Sequence, residues 1–137
     1  MEDELLKYRK QFDKDRFAKL SGIQLVEASP GYAKASMEIL DKHMNSVGVL
    51  HGGAIFSLAD FTFAVASNSH GKLALAINAE ISYFKAISAG ILTATSREIS
   101  LHNKLATYLI DIVDEQEELI ANFKGTVYRK SETLTFE

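Results

Sequence analysis

The chain has 137 residues, 15 Lys and Arg against 18 Asp and Glu, a formal net charge of −3, 47% hydrophobic residues and no cysteine. That length holds one domain with one sizeable core. The mildly acidic balance argues against a nucleic-acid partner, and the missing thiols exclude disulfides and thiolate metal sites, as expected of a cytoplasmic protein.

Residues 2–19 carry charge throughout, with Leu5, Tyr8 and Phe12 at helical spacing. This predicts an amphipathic surface helix over about 2–19, ended by Ser21-Gly22. Its charged start, MEDELLKYRK, is unlike a signal peptide, and none is expected. Ile23–Ala28 reads as a short strand, and Ser29-Pro30-Gly31 as a turn. Ala33, Ala35, Met37 and Ile39 then alternate with polar residues, the pattern of a strand with one wet face. A loop over 40–50 leads to Gly52-Gly53 and a run of small and apolar residues, a helix over about 52–69. Asn45, His51, Gly52, Gly53, Ser57 and Asp60 interrupt that run, so it predicts a buried core helix and no membrane span.

Beyond the helix, Leu73, Leu75, Ile77, Ala79, Ile81 and Tyr83 alternate as one face of a long strand. Ile91–Glu98, Leu105–Asp114 and Leu119–Tyr128 supply three more, joined at Ser88-Ala89-Gly90, His102-Asn103-Lys104 and Glu115–Glu118. The tail from Lys130 is expected to fray. Two strands, one helix and four strands joined by short turns give an α+β fold: an antiparallel sheet of about six strands curled around one long central helix, plus an N-terminal helix. One helix cannot cover both sheet faces, so self-association is expected to bury the remainder.

Chemistry concentrates in 45–71, where Asp60 is the single formally charged side chain. A glycine pair opening a helix leaves backbone N–H groups unshielded at the positive end of the helix dipole, which suits a developing oxyanion. Taken alone, the pair equally serves a tight loop-to-helix turn. Asp60 lies about two turns further on, and Ser57 and Ser67 fall in line with it around the small Ala64. A merely solvated stripe would carry Lys, Arg or Glu as well, and this one does not. Oxyanion donors and a carboxylate on one helix suit hydrolysis of an activated acyl group. No Walker-type loop with lysine, no G-x-S-x-G elbow and no H-E-x-x-H spacing is present; His43, His51, His70 and His102 are scattered, so no metal site is expected.

His51-Gly52-Gly53 and Ser57-Leu58-Ala59-Asp60, with Asn45 before and Asn68-Ser69-His70-Gly71 after, resemble the hotdog-fold acyl-CoA thioesterases of the phenylacetic acid degradation type. The resemblance runs on through Ile81-Ser82-Tyr83-Phe84, Gly90-Ile91-Leu92-Thr93-Ala94 and Gly125-Thr126-Val127-Tyr128, covering the chain from about Tyr32 onward. It implies hydrolysis of an acyl- or aryl-CoA to acid and CoA, the thioester being substrate and no cofactor needed. Asp60 matches the nucleophile or general base, Gly52 the residue whose N–H polarises the carbonyl, and Asn45 and His51 positions that orient thioester or water. It also implies a homodimer, paired into a homotetramer, with Asp and oxyanion donor drawn from different subunits. Two positions depart from the pattern: Ala86 stands where many relatives carry proline, and Ala76 where some carry a water-holding serine.

Further substrate contacts are expected from Gly53, from Phe56, Phe63 or Met44 in an acyl pocket, and from Lys85 or Lys104 on the CoA phosphates, with Arg97 and Arg129 as further cations. Surface lysines more often only solvate, and such aromatics more often only fill a core. Two other functions fit the same fold: a non-catalytic acyl-CoA-binding sensor or scaffold, and a hydratase or dehydratase. Binding alone needs no carboxylate at position 60. Dehydration wants a His paired with an acid in the pocket, for which His51 at the helix start is poorly placed.

Overall fold

The computed structural model describes residues 2–136, with side chains from Glu4 onward. Helices α1 (Glu2–Phe12) and α2 (Arg16–Leu20) precede strands β1 (Ile23–Ser29) and β2 (Tyr32–Glu38). A 3₁₀ turn (Asp41–His43) leads to α3 (Gly52–Asn68). Strands β3 (Lys72–Tyr83), β4 (Ile91–Leu101), β5 (Leu105–Val113) and β6 (Leu119–Thr133) complete the chain. The six strands form one antiparallel sheet in the order β1-β2-β4-β5-β6-β3, and α3 lies along its inner face. This is the expected α+β arrangement. Among the described residues no helix is long and apolar enough to cross a membrane.

The N-terminal segment is two helices where the charge and apolar spacing predict one. Asp15 leaves the helical region (φ −74°, ψ 94°), and its carboxylate accepts the Ala18 N–H at 2.9 Å, capping α2. A side chain that satisfies a free helix-start donor gives the backbone a local alternative to continuing the previous helix. The apolar stripe of α1 still packs inward. Tyr8 is buried and meets the Phe136 ring at 4.7 Å between centroids, and Phe12 meets Phe61 edge-on at 6.4 Å.

Those contacts also correct the expected fraying at Lys130. Strand β6 continues to Thr133, which pairs with Lys72; Leu134 then donates to the Gly71 carbonyl at 2.8 Å. The tail is held because Phe136 fills the groove between Tyr8 and Phe12.

Strand β3 departs from simple alternation. A bulge between Ala76 and Asn78 puts Ala79, Ile81 and Tyr83 opposite Gly125, Phe123 and Ala121 of β6, on the inner face. Before the bulge it is Ala74 and Ala76 that share the inner face with Val127, while Leu75 pairs with Tyr128 outside. One extra residue reverses which side of the sheet each later side chain meets. The six apolar residues of β3 therefore do not share a face.

The densest part of the core lies under α3. Phe63 packs at 5.4 Å from Phe123 and 6.0 Å from Tyr108, between centroids, over Gly125. At the far end of α3, Glu98 accepts from the buried Tyr108 hydroxyl at 2.6 Å and lies 2.6 Å from His70 Nε2. Burial, followed by that hydrogen bond to Glu98, raises the Tyr108 pKa well above the ordinary phenol value. Gly31, at φ 80° in the β1–β2 turn, sits against this cluster; a Cβ there would lie 2.6 Å from Glu98 Oε2.

Candidate active site

The loop before α3 is held by hydrogen bonds from its own side chains and backbone. Asn45 Oδ1 accepts the N–H groups of Val47 (3.0 Å) and Val49 (3.1 Å), closing a turn completed by Gly48 at φ 79°. Leu50 donates to Ile87, and His51 to the His43 carbonyl, both at 2.8 Å. His43 is buried and bonded on both ring nitrogens, to the Leu40 N–H and to the Ser21 carbonyl. These bonds fix the direction from which the chain enters α3.

His51 is the N-cap of that helix. Its backbone is extended (φ −63°, ψ 133°), and Nδ1 accepts the Gly53 N–H at 2.8 Å. The unprotonated Nδ1 puts the neutral ring's proton on Nε2. The cap separates the two glycines. Gly53 has its donor satisfied, whereas the Gly52 N–H meets no acceptor among the described residues. Gly52 is thus the free donor at the positive end of a 17-residue helix. Of the residues expected to touch substrate, Gly53 contributes shape and not a hydrogen bond.

Tyr83 holds the other side of Gly52. Its hydroxyl donates to the Gly52 carbonyl at 2.9 Å, and its ring crowds that position: a Cβ on Gly52 would lie 3.2 Å from Cζ, close enough that the ring must shift. The ring borders an open groove of about 370 Å³ lined by Val49, Leu50, Gly52, Ile55, Tyr83, Phe84, Lys85 and Ala86. Lys85 stands at its rim, exposed and ion-paired with Glu118, and that pairing raises its pKa. Sequence reading places Tyr83 only as a strand residue. Nothing in a period-two pattern tells that the last residue of β3 reaches across to the helix start.

Asp60 lies on the side of α3 turned away from the sheet, not in the core where the apolar run predicts it. The inner side is closed by Ile55, Leu58, Ala59, Thr62, Phe63 and Ala66. Gly53, Ser57, Asp60 and Ala64 form the uncovered stripe, and Ser67, expected to extend it, is buried. Ser57 Oγ donates back to the Gly53 carbonyl at 2.7 Å. The Asp60 carboxylate has no cationic partner among the described residues, and its pKa is raised, first by the desolvation its helix surroundings impose and then by the negative charge of Asp15.

The remaining expected contacts scatter. Phe63 is sealed in the core at 1% exposure, and Phe56 packs edge-on to Phe123 at 5.4 Å, so neither lines a groove at the helix start. The reason is the inner-face glycine Gly125, which makes a socket for Phe63. Lys104 sits in the β4–β5 turn beside Arg129, near the Lys72 end of β3, where Lys72 bonds Asn103. Gly52 lies at the Tyr83 end of that 12-residue strand, a span of roughly 35 Å at about 3.3 Å per residue. Within one chain, Lys104 cannot serve a ligand held at Gly52.

Comparison with known proteins identifies the family of the chain. A family model for the thioesterase superfamily matches residues 47–121. A protein of Archaeoglobus fulgidus is 48% identical over 122 residues, 88% of this chain and 79% of its own. The acyl-coenzyme A thioesterase PaaI of Escherichia coli is 35% identical over 92% of this chain and 91% of its own length. The solved structure of E. coli PaaI, from the phenylacetic acid degradation operon, superposes with a TM-score of 0.90 over 96% of both chains. The chain belongs to the thioesterase superfamily, within its hotdog-fold group of the phenylacetic acid degradation type, and is a thioester hydrolase.

The carboxylate pair makes one prediction here. Asp15→Asn removes a negative charge near Asp60 and keeps the cap, since Asn caps a helix as well as Asp. The acid limb of the pH–rate profile is expected to move to lower pH with α2 still docked by circular dichroism. An unmoved limb would show that Asp15 has no electrostatic hold on the ionisation that limits turnover.

Proposed function

We propose that the protein hydrolyses acyl- or aryl-CoA thioesters, with Asp60 as nucleophile or general base and the Gly52 N–H as oxyanion donor. The thioester carbonyl oxygen accepts from the Gly52 N–H, and the helix dipole favours the charge that develops there. The carboxylate attacks the carbonyl carbon, or takes a proton from the water that does so. The C–S bond breaks, and CoA leaves as its thiolate to be protonated by solvent; on the nucleophilic route the acyl group is then a mixed anhydride on Asp60, which water hydrolyses to release the acid and restore the carboxylate. His51 fixes the direction of the Gly52 N–H by holding the neighbouring donor. The Asn45 amide nitrogen, which is not used by its own loop, is available to the thioester or water. Asp60, water and the backbone supply every charge and proton required, so no cofactor enters.

The observation that carries this reading is a spacing. Gly52 and Asp60 are eight residues apart on a continuous helix, a rise of about 12 Å. A donor and a base that act on one carbonyl group need to lie within a few ångströms of it. The Asp60 that serves a given Gly52 therefore comes from a second copy of the chain. The free edge of β3 supports such a pairing, since Leu75 and Ile77 are more than half exposed on a strand with one unpaired side. We propose a homodimer through this edge, and a homotetramer formed by two dimers.

The test is thiol release from a panel of CoA thioesters, run alongside light scattering. Hydrolysis of at least one member by a dimer or tetramer is expected. No turnover on any of them would overturn the thioesterase assignment to this site, and a fully active monomer would overturn the shared site.

A further inference from the structure

The open stripe of α3 faces a second groove, smaller than the one beside Tyr83 and on the other side of the helix start. It has a volume of about 190 Å³ and is walled by Phe17 and Ser21 from α2 and its end, by Lys42, His43 and Met44 from the 3₁₀ turn, and by His51, Gly53, Ala54 and Ser57. Helix α2 has only five residues and no stability of its own, yet it is fastened in place. Asp15 caps it, Ala18 is buried beneath it, Lys42 Nζ donates to the Leu20 carbonyl at 2.7 Å, and the His43 ring bonds Ser21 O at 2.7 Å. So docked, α2 holds Phe17 with 65% of its surface exposed. An aromatic ring kept in water on a fastened element forgoes the burial that such a side chain normally gains.

Resting on the thioesterase reading, we infer that this α2–α3 groove is the acyl subsite and that Phe17 sets its selectivity. His51 and Gly53, which flank Gly52 in the chain, line this groove, so a carbonyl held by the Gly52 N–H can place its acyl substituent against Phe17, Met44 and Ala54. The Lys42 ammonium is drawn off to the Leu20 carbonyl, and Phe17, Met44 and Ala54 form the apolar part of a lining that Ser21, His43, His51 and Ser57 complete. The opposite groove carries at its rim Lys85, already paired with Glu118. A cavity of about 150 Å³ is enough to hold benzene, and this groove has about 190 Å³. That is one aryl ring or a short chain. The ring of Phe17 favours the aryl group through edge or face contact. Phe56 and Phe63, the aromatics that sequence spacing nominates, are both turned to the core.

The test compares wild type, Phe17→Ala, Phe17→Leu and Leu20→Ala on phenylacetyl-, hexanoyl- and acetyl-CoA by thiol release. Leu20 is as exposed as Phe17 but lies outside the groove. The expected result is a loss of about tenfold in kcat/KM on phenylacetyl-CoA for Phe17→Ala, carried by KM, a smaller loss for Phe17→Leu, and acetyl-CoA within about twofold in every variant. Leu20→Ala keeps the wild-type ranking. Equal losses on all three thioesters, or a change of oligomeric state by light scattering with the ranking unchanged, would overturn the subsite. Equilibrium binding of a non-hydrolysable phenacyl-CoA thioether separates this inference from the reading it rests on. Weaker binding of that probe by Phe17→Ala supports the subsite even where wild type turns over no thioester, and unchanged binding overturns it.

Discussion

Asp60→Asn is expected to lose about 10²–10⁴-fold in kcat, the range a positioned base contributes, with the fold and the oligomer intact. Asn has nearly the same shape and helix propensity as Asp, so the change isolates the charge. The same substitution is expected to leave the thermal midpoint at neutral pH unchanged or raised. Desolvation, and after it Asp15, raise the Asp60 pKa, so the folded chain holds that proton more tightly than the unfolded chain does. Stability linked to this group is then greatest below the ordinary carboxylate pKa and declines as pH rises through the raised value. Asp60→Asn removes that decline. Thermal melts across the acid to neutral range, paired with thiol-release rates, check both halves. A variant that kept its rate would remove Asp60 from the chemistry; one that melted well below wild type at neutral pH would show the carboxylate to be a stabilising group.

Gly125→Ala is expected to cost about 3 kcal/mol, at the upper end for overpacking a core. A Cβ there would lie 2.6 to 2.9 Å from three carbons of the Phe63 ring. That ring is itself held between Tyr108 and Phe123 and has nowhere to move. Phe63 follows Asp60 by three residues on α3, so a displaced ring carries the carboxylate with it. Activity should therefore fall together with the urea midpoint. Phe63→Leu gives the added methyl group space, and the double variant should be more stable than the sum of the two single losses. Strict additivity would place the strain elsewhere than in this contact.

Much of the fold was legible because its signals are local. Period-two alternation marks most strands, the Ser-Pro-Gly turn joins β1 to β2, and an apolar run opened by two glycines marks α3. The misreadings share one cause. Asp15 interrupts a charged helix by capping the next one, the bulge in β3 exchanges its faces, and Phe136 anchors a tail composed like a frayed one. Each depends on a partner that sequence spacing does not contain: an amide three residues on, a register in β6, and two rings of α1.

The site divides in the same way. The groups proposed to react were legible along one segment: a lone carboxylate and a glycine-opened helix, with Asn45 and His51 before it. What each group is free to do came from its packing in the folded chain. It gave the Gly53 N–H to His51 and left that of Gly52 free, turned Asp60 outward, and sent Phe63 into the core. It also put Tyr83 over the helix start and Lys104 at the far end of the sheet. The physical reason is that residue type and spacing set which hydrogen bonds and charges are possible, whereas packing against distant strands settles which are already taken. Along α3 the rise of about 12 Å between Gly52 and Asp60 belongs to both levels. It is written in the eight-residue spacing, and it acquires meaning once the helix is continuous and its far stripe is open to a second chain.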